Sequence, residues 1–316
     1  MECSDYLNGI TNNDRYIIAK AISLVESNLK KDKRKASELL DSCINLSNKS
    51  IRIAISGNPG VGKSTFIEAL GSYLVNKKLK TAIITIDPSS TISGGSILAD
   101  KTRMKNLSKN KYAYVRPAAN DCELGGINKN TRDTISIFET AGYDVIIIET
   151  VGVGQSEIDV KSITDIFLYL TQSESGDVFQ FIKKGILELC DFIIINKIDL
   201  DLEKSKSLKF LIENNLKLHN SGNQSVFICS AIKGNYIYEI WLGIKKFFEE
   251  NWKKGKIQST REKQNINWYK QRLKKQIFRK IEDSCLYKES IKKLENENFK
   301  NPNKFLLEII DDLKLN

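Results

Sequence analysis

An α/β fold built on a mostly parallel sheet of about seven strands, with helices on both faces, is predicted by three observations. Short apolar runs alternate with longer amphipathic segments from Ile51 onward, as βαβ units require. The first run leads directly into GNPGVGKST at 57–65, which fits G-x-x-x-x-G-K-[ST]. Polar and acidic residues close several later runs, where a parallel sheet places its chemistry. Together these specify the architecture of a P-loop nucleoside triphosphatase with helical N- and C-terminal extensions. The expected division is 1–48 for the first extension, 49–252 for the nucleotide domain and 253–316 for the tail.

Composition sets the outer bounds. With 316 residues, 41% of them apolar, the chain has room for one large core. No apolar run approaches the roughly 18 residues of a membrane span. The start, MECSDYLNGITNNDR, has neither a signal-peptide apolar stretch nor an Arg-rich amphipathic pattern, so the expectation is a cytoplasmic protein without a membrane partner. Six cysteines are scattered without a C-x-x-C pair, and the single histidine, His219, lies in a polar stretch and reads as a surface residue. The net charge of +10 raises the question of nucleic acid. Lysines are interleaved with glutamates and the chain is rich in Ile, Asn and Lys throughout, so no nucleic-acid partner is expected.

Taken in order, 14–46 carries helical spacing at Ile17, Ile18, Ala21, Ile22, Leu24 and Val25, then at Ala36, Leu39, Leu40, Cys43 and Leu46. Two helices covering the sheet are expected there. The predicted strands are 51–56, 81–86, 112–115, 145–149, 166–170, 192–196 and 226–229. Between the first two, the loop Gly57, Asn58, Pro59, Gly60, Val61, Gly62, Lys63, Ser64 and Thr65 cradles nucleotide phosphates. Small residues let the backbone approach the phosphates, Lys63 would bridge the β- and γ-phosphates, and Ser64 would place a hydroxyl on Mg²⁺. Phe66, Ala69, Leu70, Tyr73 and Leu74 then read as the following helix.

An acidic residue that closes an apolar strand is costly to bury unless it serves a cation. Asp87, Asp100 and Glu149 are therefore candidate Mg²⁺ groups, although Asp100 also fits a helix N-cap. The loop after the fourth strand, through Gly152, Gly154 and Gln155, can change conformation cheaply, and a backbone N–H at Gly152 could sense a γ-phosphate. The sixth run ends in Asn196, Lys197, Ile198 and Asp199. A carboxylate at Asp199 can accept from both guanine N1–H and the 2-amino group, donors that adenine lacks. Lys197 would lie along the base face, and Asn196 would tie the phosphate loop to the base loop. Ser230, Ala231 and Ile232 form the second base loop, with the Ala231 N–H facing guanine O6. GTP is thus expected over ATP. Beyond Asn235, Tyr238, Ile240, Trp241, Ile244, Phe247 and Phe248 mark a last core helix, and the tail shows helical stretches at 264–281 and 304–313 with one apolar face.

Four longer segments resemble the MeaB/ArgK family of GTPases that accompany adenosylcobalamin-dependent methylmalonyl-CoA mutase. They are DPSSTISGGSILADKTRM at 87–104, ELGGINKNTRD at 123–133, ETVGVGQSE at 149–157 and IKKGILELCDFIIINKID at 182–199. The resemblance runs over roughly 14–275. It implies a GTP-hydrolysing chaperone, slow alone and stimulated by its partner, that gates cofactor loading and protects or reactivates the mutase. It also implies Mg²⁺ at Asp87, Asp100 and Glu149, with Arg103 in the first switch stretch and Gln155 in the second. Asp177, Gln180 and Lys183 match a third mobile loop coupled to the mutase, with Lys183 placed to stabilise charge on the γ-phosphate. The tail resembles a dimerisation arm, making a homodimer the expected assembly; cobalamin is expected to belong to the partner. One departure stands out: the family's Pro-Gly turn is replaced by QSES at 172–175. The alternative function is a GTPase for insertion of nickel or another metal, which would be expected to carry Cys/His sites near the nucleotide.

Overall fold

A computed structural model describes residues 1–27, 29–44, 46, 49–86, 104–118, 129–150, 155–173, 189–218, 224–296 and 307. The chain divides into two compact units, 1–257 and 258–316, and each is described by itself.

The first unit holds, among the described residues, seven parallel strands in the order β3-β2-β4-β1-β5-β6-β7. They are β1 (Ile51–Gly57), β2 (Thr81–Ile86), β3 (Ala113–Ala118), β4 (Val145–Glu149), β5 (Ile166–Gln172), β6 (Phe192–Asn196) and β7 (Ser225–Ile228). Near-continuous Ile, Val and Leu runs suit strands covered on both faces. Alternate residues go to opposite sides: Ala54, Ile84, Ile146, Phe167 and Ile193 into one core, and Ile53, Ile83, Ile147, Leu168 and Ile194 into the other. At about 1.5–3 kcal/mol for each fully buried large aliphatic side chain, these two layers dominate the stability.

Among the described residues the helices of this unit are α1 (Cys3–Thr11), α2 (Arg15–Glu26), α3 (Lys30–Ile44), α4 (Lys63–Asn76), α5 (Lys105–Lys109), α6 (Lys129–Thr140), α7 (Gln155–Lys161), α8 (Leu202–Leu218) and α9 (Ile237–Lys253). Three helices therefore precede β1, where the spacing indicates two. The additional one, α1, closes a reciprocal cap in which Glu2 N–H donates to Asp5 Oδ2 at 2.8 Å, and it buries Ile10. Asp14 caps α2 by accepting from the backbone N–H groups of Tyr16 (2.8 Å) and Ile17 (3.2 Å). Buried Ile18, Ile22 and Leu39 of these helices join the sheet face that carries Ala54 and Ile84. Arg15 of α2 donates to the Ala113 carbonyl (2.9 Å), which occupies part of the edge of β3. On the opposite face α4, α5 and α9 pack over Ile53, Ile83 and Ile194.

Strand limits differ from the sequence reading in an instructive way. The third strand is 113–118, not 112–115, and runs through Arg116 and Pro117. Proline is tolerated there because, among the described residues, β3 pairs with β2 alone. Tyr112 stays in the preceding turn, its N–H donating to Asn110 Oδ1 at 2.9 Å. In α9 it is Ile237, rather than Tyr238, that enters the core; Tyr238 is exposed.

Among its described residues the second unit is helical, in α10 (Lys256–Glu282) and α11 (Cys285–Asn296). The helical stretch expected at 304–313 lies outside the described residues, Leu307 apart, as do His219 and Cys122.

Candidate nucleotide site

The site lies at the carboxyl ends of β1, β4, β5 and β6, around the point where the chain leaves β1 for opposite sides of the sheet. The loop from Gly57 to Gly62 turns β1 into α4. Gly57 has φ +149°, and a Cβ there would fall 2.3 Å from the Leu170 carbonyl oxygen. Gly62 sits at φ +89°, and a Cβ would meet Asn196 Nδ2 at 2.8 Å. The loop is thus held against β5 and the base loop at two points where only hydrogen fits. The backbone N–H groups at the start of α4 face this loop, the arrangement that receives phosphate.

Lys63 Nζ donates to the carbonyls of Gly57 (2.7 Å) and Asn58 (3.2 Å), curling over the loop. Burial lowers its pKa from the ordinary lysine value, opposed by the carboxylates of Glu149 and Glu157. Ser64 Oγ donates to Glu149 Oε1 at 2.8 Å, uniting the second residue of α4 with the last residue of β4. Two hard oxygen donors so placed fit Mg²⁺, which takes one or two protein ligands and completes its shell with phosphate and water. Among the described residues there is no group of three or more His, Cys, Asp or Glu side chains able to hold a metal by themselves. The two other predicted metal groups, Asp87 and Asp100, lie outside the described residues, as do Arg103, Gly152, Asp177, Gln180 and Lys183. Gln155 opens α7, and its side chain is also outside them.

On the base side, Asn196 is buried and bonds in both directions. Its Nδ2 donates to the Val61 carbonyl (2.9 Å), and its Oδ1 accepts from the Ala231 N–H (3.0 Å). One side chain therefore joins the phosphate loop to the second base loop. Lys197 adopts φ +63°, and its Cε lies 4.0 Å from the Cβ position of Gly62, so its stem runs beside the phosphate loop. Asp199 accepts a hydrogen bond from the Ser230 hydroxyl, which orients one oxygen of the carboxylate and holds its pKa below the usual value. The Ser230 oxygen in turn accepts from the Lys233 N–H at 3.2 Å, and Ser230 pairs with Asn235 to close the loop. Ile232 stands at the tip of this loop, largely exposed. Cys229 behind it is fully buried, and burial pushes its thiol up to about 12.

Sequence reading missed two partners. Tyr169 of β5 donates its hydroxyl to Asn58 Oδ1 at 3.1 Å, pinning the loop from the side. Glu157 of α7 is buried and accepts from Ser56 Oγ at 3.0 Å, directly before the loop. Its signal in the sequence is no more than an acidic residue three positions after Gly154.

Comparison with known proteins agrees with this geometry. The model of the family described as methylmalonyl-CoA mutase-associated GTPase MeaB matches residues 18–285. The chain is 37% identical over 270 residues to the GTPase ArgK of Escherichia coli strain K12, covering 84% of this chain and 82% of that protein. It is 36% identical over 275 residues to the mitochondrial methylmalonic aciduria type A homolog of Mus musculus, covering 82% and 66% respectively. A crystal structure titled LAO/AO transport system kinase superimposes with a TM-score of 0.75 at 27% identity, covering 99% of this chain and 97% of that one. This chain belongs to the MeaB family of methylmalonyl-CoA mutase-associated GTPases.

Proposed function

We propose that the chain binds and hydrolyses GTP and uses that cycle as a chaperone of an adenosylcobalamin-dependent acyl-CoA mutase, methylmalonyl-CoA mutase first among them. In this reading it gates loading of the mutase's cofactor and protects or reactivates the enzyme. The observation that carries it is Asn196, bonded at once to the Val61 carbonyl and the Ala231 N–H in a chain of a mutase-associated family. Base and phosphate are then read by one connected unit.

Each residue has a role in this reading. Asp199 accepts from guanine N1–H and the 2-amino group, with Ser230 fixing the carboxylate and Lys197 along the base face. The Ala231 N–H, shared with Asn196 Oδ1, is the donor nearest to guanine O6, and Ile232 follows it at the loop tip. Lys63 moves its ammonium from the loop carbonyls to the β- and γ-phosphates. Ser64 and Glu149, with Asp87 and Asp100, would hold Mg²⁺, whose charge offsets that of the phosphates. Gly152, Gln155 and Arg103 serve as γ-phosphate-sensitive segments, and Asp177, Gln180 and Lys183 as the coupling loop, with Lys183 stabilising charge in the transition state. Cobalamin stays with the partner. A second copy of the chain is proposed to dock on α10, where Ile266, Tyr269, Leu273 and Ile277 recur at helical spacing and are about half exposed.

The test is capture of purified mutase by the immobilised chain, loaded in turn with GDP, a non-hydrolysable GTP analogue and the matching ATP analogue. Nucleotide-dependent capture with guanine nucleotides only is the expected result. Equal capture in all three states would contradict the reading.

A further inference from the structure

The most unusual polar group near the loop is Glu157. It is 2% exposed, yet only Oε1 is engaged, by Ser56 Oγ at 3.0 Å; Oε2 has no hydrogen-bond partner among the described residues. A buried carboxylate oxygen without a donor costs free energy, so its retention calls for a physical role. Its surroundings suggest one. Ser56 immediately precedes Gly57, the Gly57 carbonyl accepts from Lys63 Nζ at 2.7 Å, and the carboxylate of Glu149 and, after it, that of Glu157 favour the charged form of Lys63. A short chain of contacts therefore runs from α7 through the end of β1 to the lysine of the phosphate loop. Helix α7 is anchored elsewhere too, since Lys161 at its end pairs with Asp191, the residue before β6. Glu157 is thus a fixed feature beneath the loop.

Resting on the nucleotide-site reading above, we propose that Glu157 is a positioning residue that tunes the site against the triphosphate. Its carboxylate draws the Lys63 ammonium toward the loop floor and opposes added negative charge above it. The γ-phosphate brings one further phosphoryl group to the place where that lysine is needed, so the triphosphate loses more than the diphosphate. In a poorly solvated site a fixed charge acts over several ångströms with little screening. The consequence is a loop whose preference for GTP over GDP is held down, leaving room for segments near α7, or for a partner, to restore it.

The experiment measures dissociation constants for GDP and a non-hydrolysable GTP analogue on the full chain with Mg²⁺ present, for the native protein, Glu157→Gln and Ser56→Ala. Glu157→Gln removes the charge at nearly constant volume and is expected to shift the GDP-to-GTP preference toward the triphosphate by about threefold to tenfold. Ser56→Ala keeps the carboxylate and is expected to leave the preference within about twofold of native. A Glu157→Gln protein that weakens both nucleotides alike, or changes neither, would overturn the proposal, because a merely structural glutamate predicts one of those results. So would a Ser56→Ala protein that reproduces the shift. Where Glu157→Gln fails to fold, Glu157→Met provides the uncharged replacement and the same ratio is read. Failure of the native chain to bind either nucleotide would instead refute the nucleotide site itself.

Discussion

The roles proposed for Lys63, Asp199 and Ser230 are separable, and single substitutions distinguish them. Lys63→Ala removes the ammonium that bonds the Gly57 and Asn58 carbonyls and should weaken triphosphate binding by about 100-fold, the scale of a lost close charge contact. Isothermal calorimetry with a GTP analogue checks it, and native affinity would mean the loop is no cradle. Asp199→Asn replaces an acceptor with an amide that can donate, so preference should move from guanine to xanthine nucleotides; competition between GDP and XDP reads the change directly. Ser230→Ala tests orientation. The Ser230 hydroxyl depresses the Asp199 pKa, so the carboxylate's contribution is complete above its ordinary, unfolded value and is lost only as pH falls through the lower folded one. Without the hydroxyl that loss should begin at higher pH. The acid limb of GDP binding should accordingly move up in pH, and an unmoved limb would remove Ser230 from base recognition.

At the level of elements, two junctions set the geometry. The loop joining β1 to α4 depends on Gly62, where Gly62→Ala meets both a left-handed backbone angle and Asn196 Nδ2. The strain alone is of order 1–3 kcal/mol. Chemical unfolding should show that loss, and GDP affinity should fall with it because the displaced group is the bridge to the base loop. The second junction lies away from the site. Arg52 of β1 donates through Nε (2.7 Å) and Nη2 (2.8 Å) to the two oxygens of Glu139 on α6, a largely buried pair. Glu139→Ala should destabilise the fold by about 3–5 kcal/mol, since it strands the guanidinium in the interior. The guanine-over-adenine preference of the molecules that remain folded should be unchanged.

Most of the strands were legible because a parallel sheet covered on both faces needs unbroken apolar runs, and Ile83–Ile84, Ile146–Ile148 and Ile193–Ile195 supply them. The third strand was misread where Arg116 and Pro117 interrupt that pattern, which an edge position permits. Helix α1 lies outside the sequence expectation although Cys3, Tyr6, Leu7 and Ile10 stand at helical spacing, because only nine residues carry that pattern and only Ile10 is fully buried. The phosphate loop and the Asn196–Asp199 segment were readable because the physical demands fall on consecutive residues. The bridging role of Asn196 was readable too, since it follows from the strand that places it. Glu157 and Tyr169 were not, because what singles them out is a contact made across the sheet to residues about a hundred positions away.

For the whole molecule, the claim is that a nucleotide cycle is read by another enzyme. Family membership places the chain with mutase-associated GTPases, and the Asn196 bridge from the Val61 carbonyl to the Ala231 N–H gives the proposed cycle a physical link between its two loops. The most direct measurement is steady-state GTP hydrolysis by the purified chain, alone and with saturating methylmalonyl-CoA mutase. Slow turnover alone and a rise of about tenfold or more with the mutase are expected, equivalent to at least about 1.4 kcal/mol off the barrier. Turnover that stays the same at saturating mutase would contradict that claim.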